Sequence, residues 1–294
     1  MENNSRRHAI RNIAGSLVLA ASLPAFSKEV KDGKPKPTTK LKGNINHSVC
    51  RWCYDSTPFE ELCKAAKAMG IKSIELTEPD EWPMLKKYGL HCAMPWGADM
   101  GIEKGYNDVA NHDELYKKLE TYLPKLVAAG FDKVICFSGN RKGLSDQQGL
   151  ENCAIGLKKV MPLMEKYKVT LVMELLNSKV DHADYQCDHT AWGVKLCDLV
   201  GSENFKLLYD VYHMQIMEGD MIATIKKYHK YIAHYHTGGV PGRNEIDERQ
   251  EIFYPAVMKA ILATGYKGYV GQEFIPKDPK PLESLRKSIA ICDI

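Results

Sequence analysis

No stripe of Lys and Arg, no glycine fingerprint behind the first apolar run and no hydrophobic stretch of membrane-spanning length occurs in the 294 residues. The 40 Lys and Arg are interspersed with 37 Asp and Glu, for a net charge of +3, so nucleic acid is not a compositional expectation. Without Gly-x-Gly-x-x-Gly after the first β-type run, a dinucleotide-binding sheet loses its main support. The longest apolar run, Ile13 to Ala21, is too short for a permanent membrane anchor. An even cysteine count is also missing. The nine cysteines fall mostly inside apolar patterns, which speaks for buried small hydrophobes and against a disulfide framework. Cys50-Arg-Trp-Cys53 has redox spacing but lies where a strand runs into its loop, without the helix that would lower a thiol pKa, so it reads as structural.

What remains is an ordinary globular composition, 44% hydrophobic and 26% charged, long enough for one barrel-sized domain or two smaller ones. The N-terminus departs from it. Ser5-Arg6-Arg7-His8-Ala9-Ile10-Arg11 precedes the apolar run, and Ala25-Phe26-Ser27 offers a cleavage site, so residues 1–27 read as a twin-arginine-type export signal. Residues 28–43, rich in Lys, Pro and Thr, read as a flexible leader and 44–294 as the folded domain. Export to the periplasm is the resulting expectation. A frayed basic N-terminus would leave the chain in the cytoplasm instead.

From residue 44 onward short apolar β-type runs alternate with amphipathic helices. Eight runs fit, at 44–50, 72–77, 90–94, 133–138, 169–176, 205–214, 232–237 and 268–274. Helical spacing is clear at Leu115, Leu119, Tyr122, Leu123 and Leu126, at Leu157, Val160, Met161 and Met164, and at Ile222, Ile225, Tyr228 and Ile232. Gly70, Gly130, Gly201 and Gly265 follow helical segments as C-terminal stops should. Eight βα units whose strands are apolar on both faces predict a single-domain (β/α)8 barrel.

In such a barrel chemistry sits at the C-terminal strand ends. There the sequence places Glu174, Asp210, His236 and Glu273, one on each of the last four strands. A carboxylate in an apolar strand needs a compensating charge. Four such groups at one barrel height share an obvious one, a single divalent cation. Three carboxylates and one imidazole suit Mn²⁺, Mg²⁺ or Co²⁺ best, with Zn²⁺ admissible. Asp210 capping a turn and His213 resting in the core is the bland alternative for that pair taken alone.

The order Glu174, Asp210, His236, Glu273, with His213 three residues after the Asp and Arg243 seven after His236, resembles the xylose-isomerase-like barrel superfamily. Within it, Tyr209-Asp-Val-Tyr-His-Met-Gln-Ile-Met-Glu-Gly-Asp220 and Pro241-Gly242-Arg243 are similar to hydroxypyruvate isomerases. The resemblance implies a metal held by Glu174, Asp210, His236 and Glu273, with both glutamates also serving as acid and base. It departs at one position, because hydroxypyruvate isomerases commonly carry Gln where this chain has His236, and ketose 3-epimerases carry His.

The chemistry expected is proton transfer through a cis-enediolate on a small hydroxy-keto acid or sugar, by isomerisation or epimerisation. His213 is expected to stabilise charge on a substrate oxygen, Arg243 to hold a carboxylate or distal hydroxyl, and Trp52 and Trp96 to wall the pocket. His47 and His91 raise a second class, the three-zinc endonuclease barrels, but 244–249 lacks the further histidine such a site needs. A third class is a non-catalytic exported sugar-binding barrel. The partner expected is a small molecule, and assembly into a homo-oligomer stays open.

Overall fold

The computed structural model describes residues 40–294, so the export-signal and leader readings for 1–39 lie outside the described residues. Seven parallel strands are present, β1 Asn46–Cys50, β2 Ser73–Glu75, β3 Lys133–Cys136, β4 Thr170–Glu174, β5 Phe205–Asp210, β6 Ile232–Thr237 and β7 Tyr269–Gln272. Their order, β2-β1-β7-β6-β5-β4-β3, joins the first strand to the last and so wraps the sheet around an axis. Helices cover its outside: α1 Phe59–Met69, α2 Trp82–Tyr88, α3 His112–Ala128, α4 Asp146–Tyr167, α5 Thr190–Val200, α6 Val211–Met217, α7 Met221–Tyr228, α8 Tyr254–Ala263 and α9 Pro281–Cys292. This is the expected TIM barrel, built as one domain.

The local reasons are those of parallel sheets. Val134, Ile135, Leu171, Val172, Leu207 and Leu208 are buried on both faces, which removes the alternation a half-exposed strand would show. Each such side chain contributes roughly 1.5–3 kcal/mol of burial. The periodic residues of α3 and α4 are all buried, and the glycines after α1 and α5, Gly70 and Gly201, adopt the left-handed φ values of 85° and 71° that end a helix.

Two sequence expectations need correction. The run at 90–94 is not a regular strand. It fills the gap between β2 and β3 as an extended segment, where Ile74 N–H donates to His91 O (3.0 Å), Leu76 N–H to Met94 O (2.7 Å) and Ile135 N–H to Pro95 O (3.4 Å). The Ala93 N–H donates to the Ser73 hydroxyl (2.9 Å) instead of a β2 carbonyl, and Pro95 has no N–H to continue a ladder beyond it. The run at 205–214 also ends early, at Asp210, because the Asp210 carboxylate accepts from the N–H of Tyr212 (2.7 Å) and of His213 (3.4 Å) and starts α6. Among the described residues no helix is long and apolar enough to cross a membrane.

Candidate active site

The barrel places its four polar strand ends together. Glu174 closes β4, Asp210 closes β5 and pairs in register with His236 of β6, and Glu273 follows β7 directly. All four side chains are buried, and ligand atoms from the four lie within 4.8 Å of one another. His236 Nδ1 sits 2.9 Å from Glu273 Oε2 and 3.5 Å from Glu174 Oε1. Neither contact has hydrogen-bond geometry, and Nδ1 and Glu174 Oε1 both remain buried without a partner.

That is the observation against which a metal can be tested. Unpartnered buried acceptors facing one another are unfavourable unless a cation lies between them. Three carboxylates and an imidazole nitrogen are a donor set for Mn²⁺, Mg²⁺ or Co²⁺, and Zn²⁺ also accepts it. The residues present therefore fit a divalent ion.

The surroundings make the two glutamates unequal. Trp52 Nε1–H donates to Glu273 Oε1 (2.8 Å), and the Arg243 guanidinium lies 2.6 Å from Glu273 Oε2 and 3.5 Å from Asp210 Oδ2. Burial pushes the Glu273 carboxyl up, but Arg243 and His236 outweigh it and hold it well below the usual range. Glu174 goes the other way, raised by burial and then by the charge of Glu273. Asp210 is raised mainly by burial, with Arg243 opposing.

His213 has a defined face. The backbone N–H of Asn177, just beyond β4, donates to His213 Nδ1 (3.1 Å), so in the neutral ring the proton sits on Nε2. Nε2 is buried, has no hydrogen-bond partner and lies 3.6 Å from Asp210 Oδ2. Burial, then Arg243, lowers the His213 pKa well below its ordinary value, which keeps the ring neutral. The bland reading of Asp210 also holds, since one oxygen caps α6 while the other faces the site.

Trp52 joins the site, and Arg243 stacks 5.1 Å over its ring and 5.4 Å over that of Tyr212. Trp96 does not meet the carboxylates in the same way, because its ring rests against Phe137 and its carbonyl takes the Tyr122 hydroxyl (2.6 Å). His47 lies 3.5 Å from Asp293 and His91 stacks on Tyr269, so neither belongs to the cluster. All nine cysteines are free, and burial raises the thiols of Cys50 and Cys53, in keeping with a structural role. Sequence reasoning passed over Glu75 and His234, which lie directly behind His236. Both carried the signal used elsewhere, a titratable group inside an apolar strand.

Comparison with known proteins agrees with this fold. A family model described as xylose isomerase-like TIM barrel matches residues 63–292. The hydroxypyruvate isomerase of Escherichia coli (strain K12) is 32% identical over 249 residues, covering 81% of this chain and 94% of that protein. A 2-oxo-tetronate isomerase of Pectobacterium atrosepticum is 25% identical over 244 residues, covering 76% and 89%. Among solved structures, an AP endonuclease, family 2, from Brucella melitensis superposes with a TM-score of 0.74 at 22% identity, covering 84% of this chain and 97% of that one, a likeness of fold. The chain belongs to the xylose isomerase-like TIM barrel family.

Proposed function

We propose that the protein is a divalent-metal-dependent isomerase of small hydroxy-keto acids of the hydroxypyruvate type, working by proton transfer between adjacent carbons. The observation that carries this reading is the convergence of Glu174, Asp210, His236 and Glu273 with unpartnered acceptor atoms facing one another. A bound divalent ion supplies Lewis acidity, which polarises a substrate carbonyl and acidifies the hydrogen on the neighbouring carbon.

The chain's own residues divide the remaining work. Glu273, kept ionised by Arg243, accepts the carbon-bound proton and returns it to the adjacent carbon while the substrate hydroxyl proton passes to the former carbonyl oxygen, and Glu174 faces it as the second acid–base group. The His213 Nε2–H, held inward by the Asn177 N–H, donates to the substrate oxygen on which negative charge develops. Arg243, less buried than the four groups, offers its fork of donors to a substrate carboxylate, which a guanidinium meets in two bonds. Trp52 shields one side of Glu273 from water.

A ketose 3-epimerase is the second reading, favoured by one observation: an imidazole, His236, stands among the four groups where hydroxypyruvate isomerases resemble this chain but commonly carry Gln. Epimerisation returns the proton to the same carbon from the opposite face and uses the same two glutamates. A binding-only barrel would have no need of both.

Deuterium wash-in followed by NMR in D₂O separates these readings. The panel is hydroxypyruvate, tartronate semialdehyde, pentuloses and hexuloses, with added Mn²⁺ removed before each spectrum. Solvent deuterium should enter next to the carbonyl of the hydroxy-keto acids and be lost in Glu273→Gln. Exchange confined to sugars would replace the acid with a ketose, and exchange with no member would leave the binding-only barrel.

A further inference from the structure

Behind His236, away from the three carboxylates, lies a fourth. Glu75 ends β2 with its side chain buried, its Oε1 3.2 Å from His236 Nε2 and its Oε2 3.0 Å from His234 Nε2, ion-pair distances rather than aligned hydrogen bonds, and the Cys50 thiol lies 3.8 Å from His236 Nε2 and 3.7 Å from Glu75 Oε1. His234 and His236 stand two residues apart on β6 and point to the same side, their rings 5.1 Å apart and close to perpendicular at 86°. Space for the carboxylate comes from β7. A Cβ on Gly271 would collide with Glu75 Oε1 and come 2.9 Å from His236 Cδ2, so only glycine lets the acid and the imidazole meet there.

His236 therefore has carboxylate oxygens at both ring nitrogens, and a neutral imidazole has one proton to give. With that proton on Nε2, facing Glu75, the Nδ1 lone pair is free and directed at Glu174 and Glu273. With it on Nδ1, the ring could not serve a cation held between the two glutamates. A ligating histidine whose other nitrogen is bound by a carboxylate is a general device for fixing tautomer and ring orientation.

We propose that Glu75 is a positioning residue, which accepts the Nε2–H of His236 and so presents Nδ1 bare to the cation site, while His234 steadies the second Glu75 oxygen. The inference rests on the metal-dependent reading above. It excludes an alternative use of the same atoms, a second ion held by Glu75, His234 and His236, because that ion would need the Nε2 lone pair.

Two measurements on the full chain test it. In protein labelled with ¹⁵N-histidine, long-range ¹H–¹⁵N spectra with and without Mg²⁺ report the His236 tautomer, the resonance being assigned by its loss in His236→Gln. Nε2 should carry a proton in both states, and a bare Nε2 would overturn the proposal even if Glu75 variants fail to fold. Calorimetric Mn²⁺ titration of wild type, Glu75→Gln, His236→Gln and the double variant should give one ion per wild-type chain and about 10–100-fold weaker binding in Glu75→Gln. In the His236→Gln background the Glu75 change should weaken binding no further. Equal weakening in both backgrounds, or a second wild-type ion lost in Glu75→Gln, would overturn it. A wild type that binds no Mn²⁺ would sink the metal-dependent reading, while the tautomer would still judge Glu75.

Discussion

The Arg243 guanidinium lies 2.6 Å from Glu273 Oε2 while stacked 5.1 Å over the Trp52 ring, whose own N–H holds the other oxygen of the same carboxylate at 2.8 Å. Arg243 takes up this position from a left-handed backbone at φ 56°, just after the Pro241-Gly242 turn. One cation is thus positioned both to keep the proposed base ionised and to meet an incoming anion.

Removing that charge should have two separable effects. Arg243→Gln should raise KM for a hydroxy-keto acid by tenfold or more, since a desolvated charge-assisted contact contributes about 1.5–3 kcal/mol. It should also move the acid limb of the kcat/KM profile to higher pH, because Glu273 loses the group that most strongly opposes burial. An acid limb that stays in place would show that Arg243 does not tune Glu273.

His213→Gln should lower kcat by about 10²–10³, the usual effect of losing one donor to a developing oxyanion. Mn²⁺ affinity should change little, since His213 is not among the four converging groups. A calorimetric titration beside steady-state kinetics distinguishes this from a loss of metal.

Divalent ions should stabilise the fold. At a hundredfold excess over Kd, binding to the native state adds about 2.7 kcal/mol, which for a domain of this size raises Tm by roughly 5–10 °C. Chelator should reverse the shift, and Glu174→Gln or Asp210→Asn should abolish it. Melting curves followed by circular dichroism read all three.

Glu245 ties the segment after β6 to the segment after β7. Its Oε1 accepts from the N–H of Lys277 (2.7 Å) and Asp278 (2.8 Å) and from the Ser284 hydroxyl (3.2 Å). Glu245→Ala leaves those donors unmatched and should destabilise the protein by about 1–3 kcal/mol. Burial raises this carboxyl, but the hydrogen bonds outweigh it and hold it below its ordinary 4.5. A depressed carboxyl stabilises the fold above its unfolded value and loses that contribution as pH falls through the folded one. The Tm gap between wild type and Glu245→Ala should therefore narrow below pH 4.5, and a gap that widened there would contradict the assignment.

Much of the site is legible in the sequence for a local reason. A charged residue inside an apolar β-run is conspicuous, and barrel geometry brings the C-terminal ends of such runs to one height. Hence Glu174, Asp210, His236 and Glu273 stand out at the ends of the last four apolar runs, and α3 and α4 can be read from their 3.6-residue period. Other features depend on contacts between distant segments. That Trp52 and not Trp96 reaches Glu273 follows from β1 pairing with β7, which brings the residues after both strands together over a separation of 221 residues. That 90–94 fills a strand position without becoming a strand follows from the Ala93 N–H being taken by the Ser73 hydroxyl instead of a β2 carbonyl. The pairing of Glu75 with His236 needs Gly271 to leave room, and which nitrogen of His213 faces the site is set by the backbone and side-chain N–H groups of Asn177. The residue types and their strand positions are properties of the chain, whereas side-chain direction, tautomer and close approach arise only when strands far apart in sequence pack against one another.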